Sequence, residues 1–580
     1  MGDAARLIDL VDVGFTLPGS RLVVRALDEE PVETLVVHVA EYERRPGDCV
    51  VVTRLSVVDG QGRRRRVVGV SPDLIDFDGG VGLTFAGARG LSIGAAEGGL
   101  TLEMELCAPL GSDLTWSPGL PSVPTAFLAG DVSGVRLLDG LVRIPLVALG
   151  RGVQLGIAGG EEAACADHVQ HLARTHEAWY DWFEKLPAVA EEFQTMAAAC
   201  WWVLGANIVE LEGHRDAAGR SARVIVPSKS GYVGLWQWDA YFIAAGVRHG
   251  DLALAQEQLD WALRYQRADG QLPDVVHDGG VLATSDDLPT ADREHLERDG
   301  SLASHPDRPL PLTKPPLAGW AVVKLAEAGA DPSWARRAWE VIARSQQWWF
   351  DVGDSDRDGL PEYAHPYSSG LDDSPVFDGA LPATTPDLAA FLVVQDDLLA
   401  TAFDGAGEPE RGMFHRRRAT RTLALLNGLW DERAGRFRPR AGGRPIETHT
   451  IVDLLPLLTG RLDPHAARHL VADLADPAAF AAPYPVPTVA RADPAFSASR
   501  MWRGPVWINT NALIIEGLRS SGYPIEAASL ARRTLELVIH GGGPHEYFNP
   551  LTGLRAAGAT TAFGWSAGLF IDLAVQLSGS

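Results

Sequence analysis

The chain has 580 residues, a net charge of −24, 46% hydrophobic and 22% charged residues. That length is too great for one ordinary core and predicts two domains, while the apolar fraction excludes a disordered chain. The acidity argues against nucleic acid or an anionic membrane as partner.

No apolar run is long enough to span a bilayer, and the start, MGDAARLIDLVDVGF, lacks a basic stretch followed by an apolar block. Cys49, Cys107, Cys165 and Cys200 are scattered without metal or redox spacing. Together these features lead us to expect reduced thiols in a cytoplasmic protein.

From Arg21 to about Val153 the apolar residues alternate with a period of two, in runs such as TLVVHVAEY and LTLEMEL separated by Gly, Pro and Asp turns. This predicts an antiparallel β-sandwich over 1–165. The basic run Arg63 to Arg66 follows Asp59-Gly60 and is expected on an exposed hairpin strand. Around Cys165 the period changes, and ADHVQHLARTHEAWYDWFEKL predicts a linker helix over 166–187. Its His168 and His171 suit a metal by spacing, but with no third ligand nearby a solvated helix face is the expectation.

From 188 to 580 helical segments alternate with loops. They are predicted near 188–209, 236–249, 252–268, 317–329, 333–351, 385–403, 408–428, 448–459, 463–474, 506–520, 523–539 and 563–577. Six helical hairpins closed in a ring, an all-α (α/α)6 barrel, account for that number. The loops at one end of such a ring form a funnel.

Four stretches carry candidate chemistry. In VPSKSGYVGLWQWDAYF (226–242), Trp236, Trp238, Asp239 and Tyr241 crowd a helix start. Aromatic faces beside a carboxylate suit sugar recognition; a capped helix with a packed aromatic face is the alternative.

In GDSDRDGLPEYAHPYSSGLDDSP (353–375), Asp354, Asp356 and Asp358 followed by Gly359 repeat the start of a calcium loop, and Glu362 can complete it. The twelfth position holds His365 where a calcium loop has Glu, so a solvated acidic turn stays open. The same stretch sets Asp372 beside Asp373 with no local cation, an environment that keeps a proton on one of them.

In SRMWRGPVWINTNALIIEGL (499–518), Arg503 lies among Trp502, Gly504 and Trp507, able to bind a sugar hydroxyl, hold a carboxylate ionised, or pair with an acid structurally. In GGGPHEYFNPLTGLRAAGATTAFGWSAGLF (541–570), Glu546 precedes Tyr547, and Trp565 opens the last helix. Asp372 and Glu546 thus form a candidate acid–base pair for glycosidic hydrolysis. Inverting enzymes hold such a pair about 6.5–9.5 Å apart, with room for a water.

The ordered set WQWDAYF, QLPDVV, TKPPLAGWAVVKL, DRDGLPEY, SSGLDDSP, MWRGPVWIN, HEYFNP and FGWSAGL resembles glycoside hydrolase family 63 and its mannosylglycerate and glucosylglycerate hydrolase relatives. It is more distantly similar to the trehalases of family 37. The resemblance runs from about Pro187 onward. It implies an (α/α)6 barrel and inverting hydrolysis of an α-glycosidic bond, with Asp372 as general acid and Glu546 as general base.

The resemblance further implies sugar contacts from Trp238, Asp239, Trp502, Arg503 and Gly504, and a structural calcium near the 354–362 loop in some members. No cofactor is implied for the chemistry. Lys314 departs from the pattern, standing where relatives often carry Gln before Pro-Pro. It signals either an anionic substrate or a salt bridge to an acid of the site.

The expected partner is therefore a small carbohydrate, an α-glucoside before a mannoside, with homo-oligomers left open. A glycoside phosphorylase or a carbohydrate-binding protein without turnover are the alternatives. The context of Glu546 argues against the first, and the retention of both carboxylates against the second.

Overall fold

The computed structural model describes residues 8–28, 30–157, 166–298, 308–379 and 381–579; Cys165 lies outside them. The chain forms two compact units, Met1–Leu186 with Gln194–Val233, and Pro187–Phe193 with Gly234–Ser580.

The first unit is built on two antiparallel sheets. Its early strands are β1 (Leu22–Ala26), β2 (Leu35–Val39), β3 (Val50–Asp59), β4 (Val67–Val70), β5 (Ile75–Phe77), β6 (Val81–Phe85) and β7 (Gly90–Ala95). They continue with β8 (Leu100–Leu106), β9 (Thr115–Trp116), β10 (Ala126–Gly130), β11 (Arg136–Leu138), β12 (Leu141–Pro145) and β13 (Val153–Ile157). One sheet runs β1-β2-β3-β8-β12-β11 and the other β4-β5-β6-β7-β13-β10-β9. The alternating residues of β8, Leu100, Leu102 and Met104, are buried as the period of two requires. Phe15, bridged to Val24 of β1, meets Phe85 of β6 at 5.1 Å, so the two sheets share a core.

Arg63 lies in the turn after β3, where Asp59 accepts from its backbone and side chain; Arg65 also faces Asp59. The basic run is therefore partly neutralised by neighbouring acids.

Helix α1 (His168–Phe183) follows, with Asp167 as its N-cap. Its His168 and His171 do not form the expected solvated face: His171 is buried, and His168 Nδ1 lies 3.1 Å from Ser92 Oγ of β7. Helix α2 (Gln194–Ala206) was expected to begin the helical domain, but it belongs to the first unit. The reason is a pair of tryptophans. Trp182 Nε1 donates to the Trp201 carbonyl and Trp201 Nε1 to the Trp182 carbonyl, at 2.7 and 2.8 Å, with the rings stacked 4.8 Å apart.

The second unit contains α3 (Gln237–Val247), α4 (Leu252–Arg264), α5 (Thr290–Arg298), α6 (Ala318–Glu327), α7 (Pro332–Asp351) and α8 (Pro386–Gly405). Helices α9 (Pro409–Asn427), α10 (Pro464–Ala475), α11 (Ile508–Ser520), α12 (Pro524–His540) and α13 (Gly564–Ser578) complete it. Proline opens α7, α8, α9, α10 and α12, where its missing N–H costs nothing.

Successive packing contacts run from α3 to α6, α8, a short helical turn at Leu455–Thr459, α11, α13 and back to α3. The inner elements therefore meet in a closed circuit. Most residues of α3, α11 and α13 are buried, including polar ones such as Asn509 and Asn511, as inner elements require.

Two expectations fail locally. The helix expected at 448–459 is a pair of 3₁₀ turns, Ile451–Asp453 and Leu455–Thr459. Pro456 cannot donate inside an α-helix, and Gly460 ends the segment in the left-handed region at φ 61°. Helix α5 escapes prediction because TADREHLER has no apolar period to read.

The circuit is fastened by charge. Buried Asp572 of α13 accepts from Arg248 (2.8 Å) and His249 (2.9 Å), which follow α3, and from Lys324 of α6 (3.5 Å). Burial would raise this carboxyl, but its three cationic or donor neighbours outweigh that and hold it well below the usual range. Asp572→Ala leaves the buried Arg248 without its carboxylate, although Lys324 keeps Glu516, and should cost about 3–5 kcal/mol in urea unfolding.

Candidate active site

The loop after α7 carries the two adjacent aspartates. Gly370 adopts φ 72°, and a Cβ there would stand 2.3 Å from the Trp238 ring, so glycine alone lets the start of α3 lie against this loop. The neighbouring carboxyls then have separate fates. Asp373 is anchored: its Oδ1 accepts from the Trp502 N–H at 2.8 Å and its Oδ2 from Arg500 Nε at 3.1 Å, with Arg503 Nε 3.9 Å away. Asp372 is only partly exposed, and its Oδ1 is buried without a hydrogen bond to the protein. Its carboxyl is pushed up to about 8, chiefly by burial; Lys314 opposes that rise, and Asp274, Asp373 and Asp292 reinforce it.

Glu546 lies on the loop between α12 and α13 and is 3% exposed. The Thr560 N–H donates to its Oε2 at 2.9 Å, and its own N–H donates to the Thr560 carbonyl at 2.9 Å.

One strap ties the two carboxyl-bearing loops together. At Trp502 it donates to Asp373, and at Val506 it exchanges backbone hydrogen bonds of 2.8 and 2.9 Å with Phe548, two residues beyond Glu546. Electrostatics agree with this placement. The Asp239 carboxyl is raised well above normal by burial, is opposed by Lys314, and feels Asp274 and Glu546. Lys314 in turn feels Asp274, Asp372 and Asp239. Asp372, Asp274 and Asp239 thus lie in the field of Lys314, and Glu546 adjoins them through Asp239.

The aromatic residues mostly pack against each other. Trp502 and Trp507 stack at 3.7 Å and are 2% and 1% exposed. Trp238 meets Trp502 at 6.0 Å and Trp565 at 5.4 Å, and Trp507 meets Tyr547 at 4.6 Å. They form a wall beside the carboxyls. Trp236 is partly exposed, whereas Tyr241, one turn into α3, is fully buried.

Arg503 pairs with Asp378. Gly504, at φ 153°, has no room for a Cβ, which would stand 2.4 Å from the Ser497 carbonyl. Lys314 is 5% exposed and engaged: its Nζ donates to Asp274 Oδ2 at 3.0 Å and to the Tyr367 carbonyl at 2.6 Å. Of its two expected roles, the salt bridge is the one seen.

Sequence reasoning missed Asp274 and Gln237. Asp274 sits in the quoted QLPDVV, and the Lys314 departure was its only signal. Gln237 accepts from the Lys314 N–H while its own Nε2 is buried without a partner.

Asp354, Asp356 and Asp358 bring carboxylate oxygens within 4.8 Å of one another. Asp354 Oδ1 is buried without a hydrogen bond, and Oδ2 accepts from the Gly359 N–H at 3.0 Å. Burial first, then mutual repulsion, raises the carboxyls of Asp354 and Glu362. An all-oxygen cluster with an orphaned oxygen fits a hard cation such as calcium. Glu362 is turned to Ser355. His365 points inward, its Nδ1 accepting from the Tyr367 N–H.

Residues 232–566 match the family model for the mannosylglycerate hydrolase MGH1-like glycoside hydrolase domain. The chain belongs to these glycoside hydrolases of family 63. A mannosylglycerate hydrolase of Thermus thermophilus is 29% identical over 407 residues, 59% of this chain and 95% of the relative. The structure of a family 63 mannosylglycerate hydrolase from Thermus thermophilus, in complex with Tris and D-glycerate, matches at 26% identity. Its TM-score is 0.53, with coverage of 64% of this chain and 98% of that one. A bacterial glucoamylase complexed with acarbose matches in fold, at 12% identity and TM-score 0.58, over 96% of this glycoside hydrolase and 92% of its own chain.

Proposed function

We propose that this glycoside hydrolase cleaves an α-glycosidic bond between glucose or mannose and a small anionic aglycone of the glycerate class, with inversion. Asp372 is the general acid and Glu546 the general base. The closed circuit of helices serves as the (α/α)6 barrel that carries them, and the β-sandwich precedes it in the sequence. The observation that supports this most is the strap 502–506, bonded on one side next to Asp372 and on the other next to Glu546.

In the proposed reaction Asp372, protonated because it is buried, gives its proton to the leaving oxygen as the bond to the anomeric carbon breaks. Glu546 takes a proton from the attacking water on the opposite face. Asp239 and the Trp238 ring hold the sugar. The relatives named for mannosylglycerate and the D-glycerate complex support an anionic aglycone. Lys314 is buried, whereas Arg500, which pairs with Asp373, keeps a half-exposed side chain and is the cation suited to meet it.

The test is a panel of α-linked disaccharides and glycosylglycerates, with product anomers read by NMR and phosphate present or absent. The expected outcome is phosphate-independent hydrolysis of a glycosylglycerate with inversion; turnover that requires phosphate would replace hydrolysis by phosphorolysis. Asp372→Asn and Glu546→Gln should each lower kcat by about 10²–10⁴-fold at unchanged melting temperature. Because the acid must be protonated, kcat/KM should fall above about pH 8, the value to which Asp372 is raised.

We also propose that the 354–362 loop holds a structural calcium. Chelation should lower the melting temperature more than it lowers kcat, and added calcium should restore it; a melting temperature indifferent to both rejects the site.

A further inference from the structure

We infer that Lys314 is a positioning residue for the general acid: its ammonium ties the turn that leads into Asp372 to the segment that carries Asp274. This rests on the reading of Asp372 as the acid.

The geometry is specific. The Lys314 Nζ is shared between Asp274 Oδ2 at 3.0 Å and the Tyr367 carbonyl at 2.6 Å. Tyr367 belongs to the short turn Pro366–Ser369, whose exit is Gly370 and then Asp372. The preceding residue strengthens the tie: the Thr313 N–H donates to Ser368 Oγ, which donates onward to the Pro311 carbonyl, both at 3.3 Å. Segment 311–314 therefore grips two consecutive residues of the acid's turn. On its other side the Lys314 N–H donates to Gln237 Oε1, at the start of α3. A neutral amide at 314, as the family resemblance implies for relatives, would lose the charge that makes this grip bind Asp274.

The same ammonium sets the field at the acid. Asp372 faces Lys314, Asp274, Asp292 of α5 and its neighbour Asp373, which is covered by Arg500 and Arg503. Lys314 faces Asp274, Asp372 and Asp239, and His365 lies in its field. After burial, Lys314 is the largest influence on Asp372, and the only one among these that favours its ionised form. If Lys314 is removed and Asp274 takes up a proton, two opposing effects vanish together, and the larger is the lysine's. Asp372 then holds its proton more tightly, so the alkaline limb of kcat/KM moves upward.

The experiment uses the full chain, Lys314→Gln and Lys314→Arg. It reads kcat/KM over about pH 5 to 10 on the best panel substrate, and hydrogen exchange of the amides in 366–372. Lys314→Gln should move the alkaline limb to higher pH, lower kcat about 10- to 100-fold with less change in KM, and speed exchange at Ser368 and Gly370. Lys314→Arg, keeping the charge, should keep the parent's limb. A Gln variant with the parent's limb overturns the inference whatever its melting temperature, and so does an Arg variant whose limb moves with the Gln variant's. If the parent turns over none of the panel, the functional reading fails by itself. The exchange comparison then still decides whether Lys314 holds the turn: faster exchange supports the tie, and unchanged exchange overturns it.

Discussion

Withdrawing carboxyls from water is expensive, and the second unit withdraws several at once, three of them in the field of one ammonium. Asp239, Asp274 and Glu546 are 4%, 1% and 3% exposed, Asp372 has a buried oxygen, and Lys314 stands among them. One ammonium cannot hold Asp239, Asp274 and Asp372 all ionised. Protons must make up the difference, and they go where no donor competes. Asp274 has the lysine, Glu546 has the Thr560 N–H, and Asp372 has neither within bonding distance. Burial and this unequal sharing of donors together favour a proton on Asp372, as the proposed role of general acid requires.

The same unequal sharing explains the adjacent aspartates. Asp373 is a structural clasp that fixes the strap at Trp502 and takes the guanidinium of Arg500. By occupying those donors it leaves Asp372 without them, and its own charge discourages its neighbour from ionising. A clasp and an acid in consecutive positions need the tight turn that left-handed Gly370 provides beneath the Trp238 ring.

Much of this was legible in the residues. The period of two showed the sheets, and the helix starts fell within a few residues of prediction because proline or an N-cap marks many of them. The motif order singled out Asp372, Asp239 and Glu546 before any geometry was known. What stayed hidden was pairing. Nothing local says that Lys314 will find Asp274, or that Arg503 will choose Asp378, since partners far apart in sequence are set by packing. Nor could periodicity assign α2 to the first unit, because reciprocal Trp182–Trp201 hydrogen bonds have no sequence period. Pro456 was visible, but a pattern of apolar residues outweighed one residue that forbids an α-helix.

The closed circuit of inner helices bears on how such a chain is made. α13 is the last of these elements in chain order, and it packs against α3, the first. Until α13 has left the ribosome, α3 keeps an apolar flank without cover, and Arg248 and His249 lack the carboxylate of Asp572. The wall that holds Trp565 is absent for the same interval. Partial translation products of this unit should therefore be catalytically silent and dependent on chaperones, with competence arriving in one step as the ring shuts.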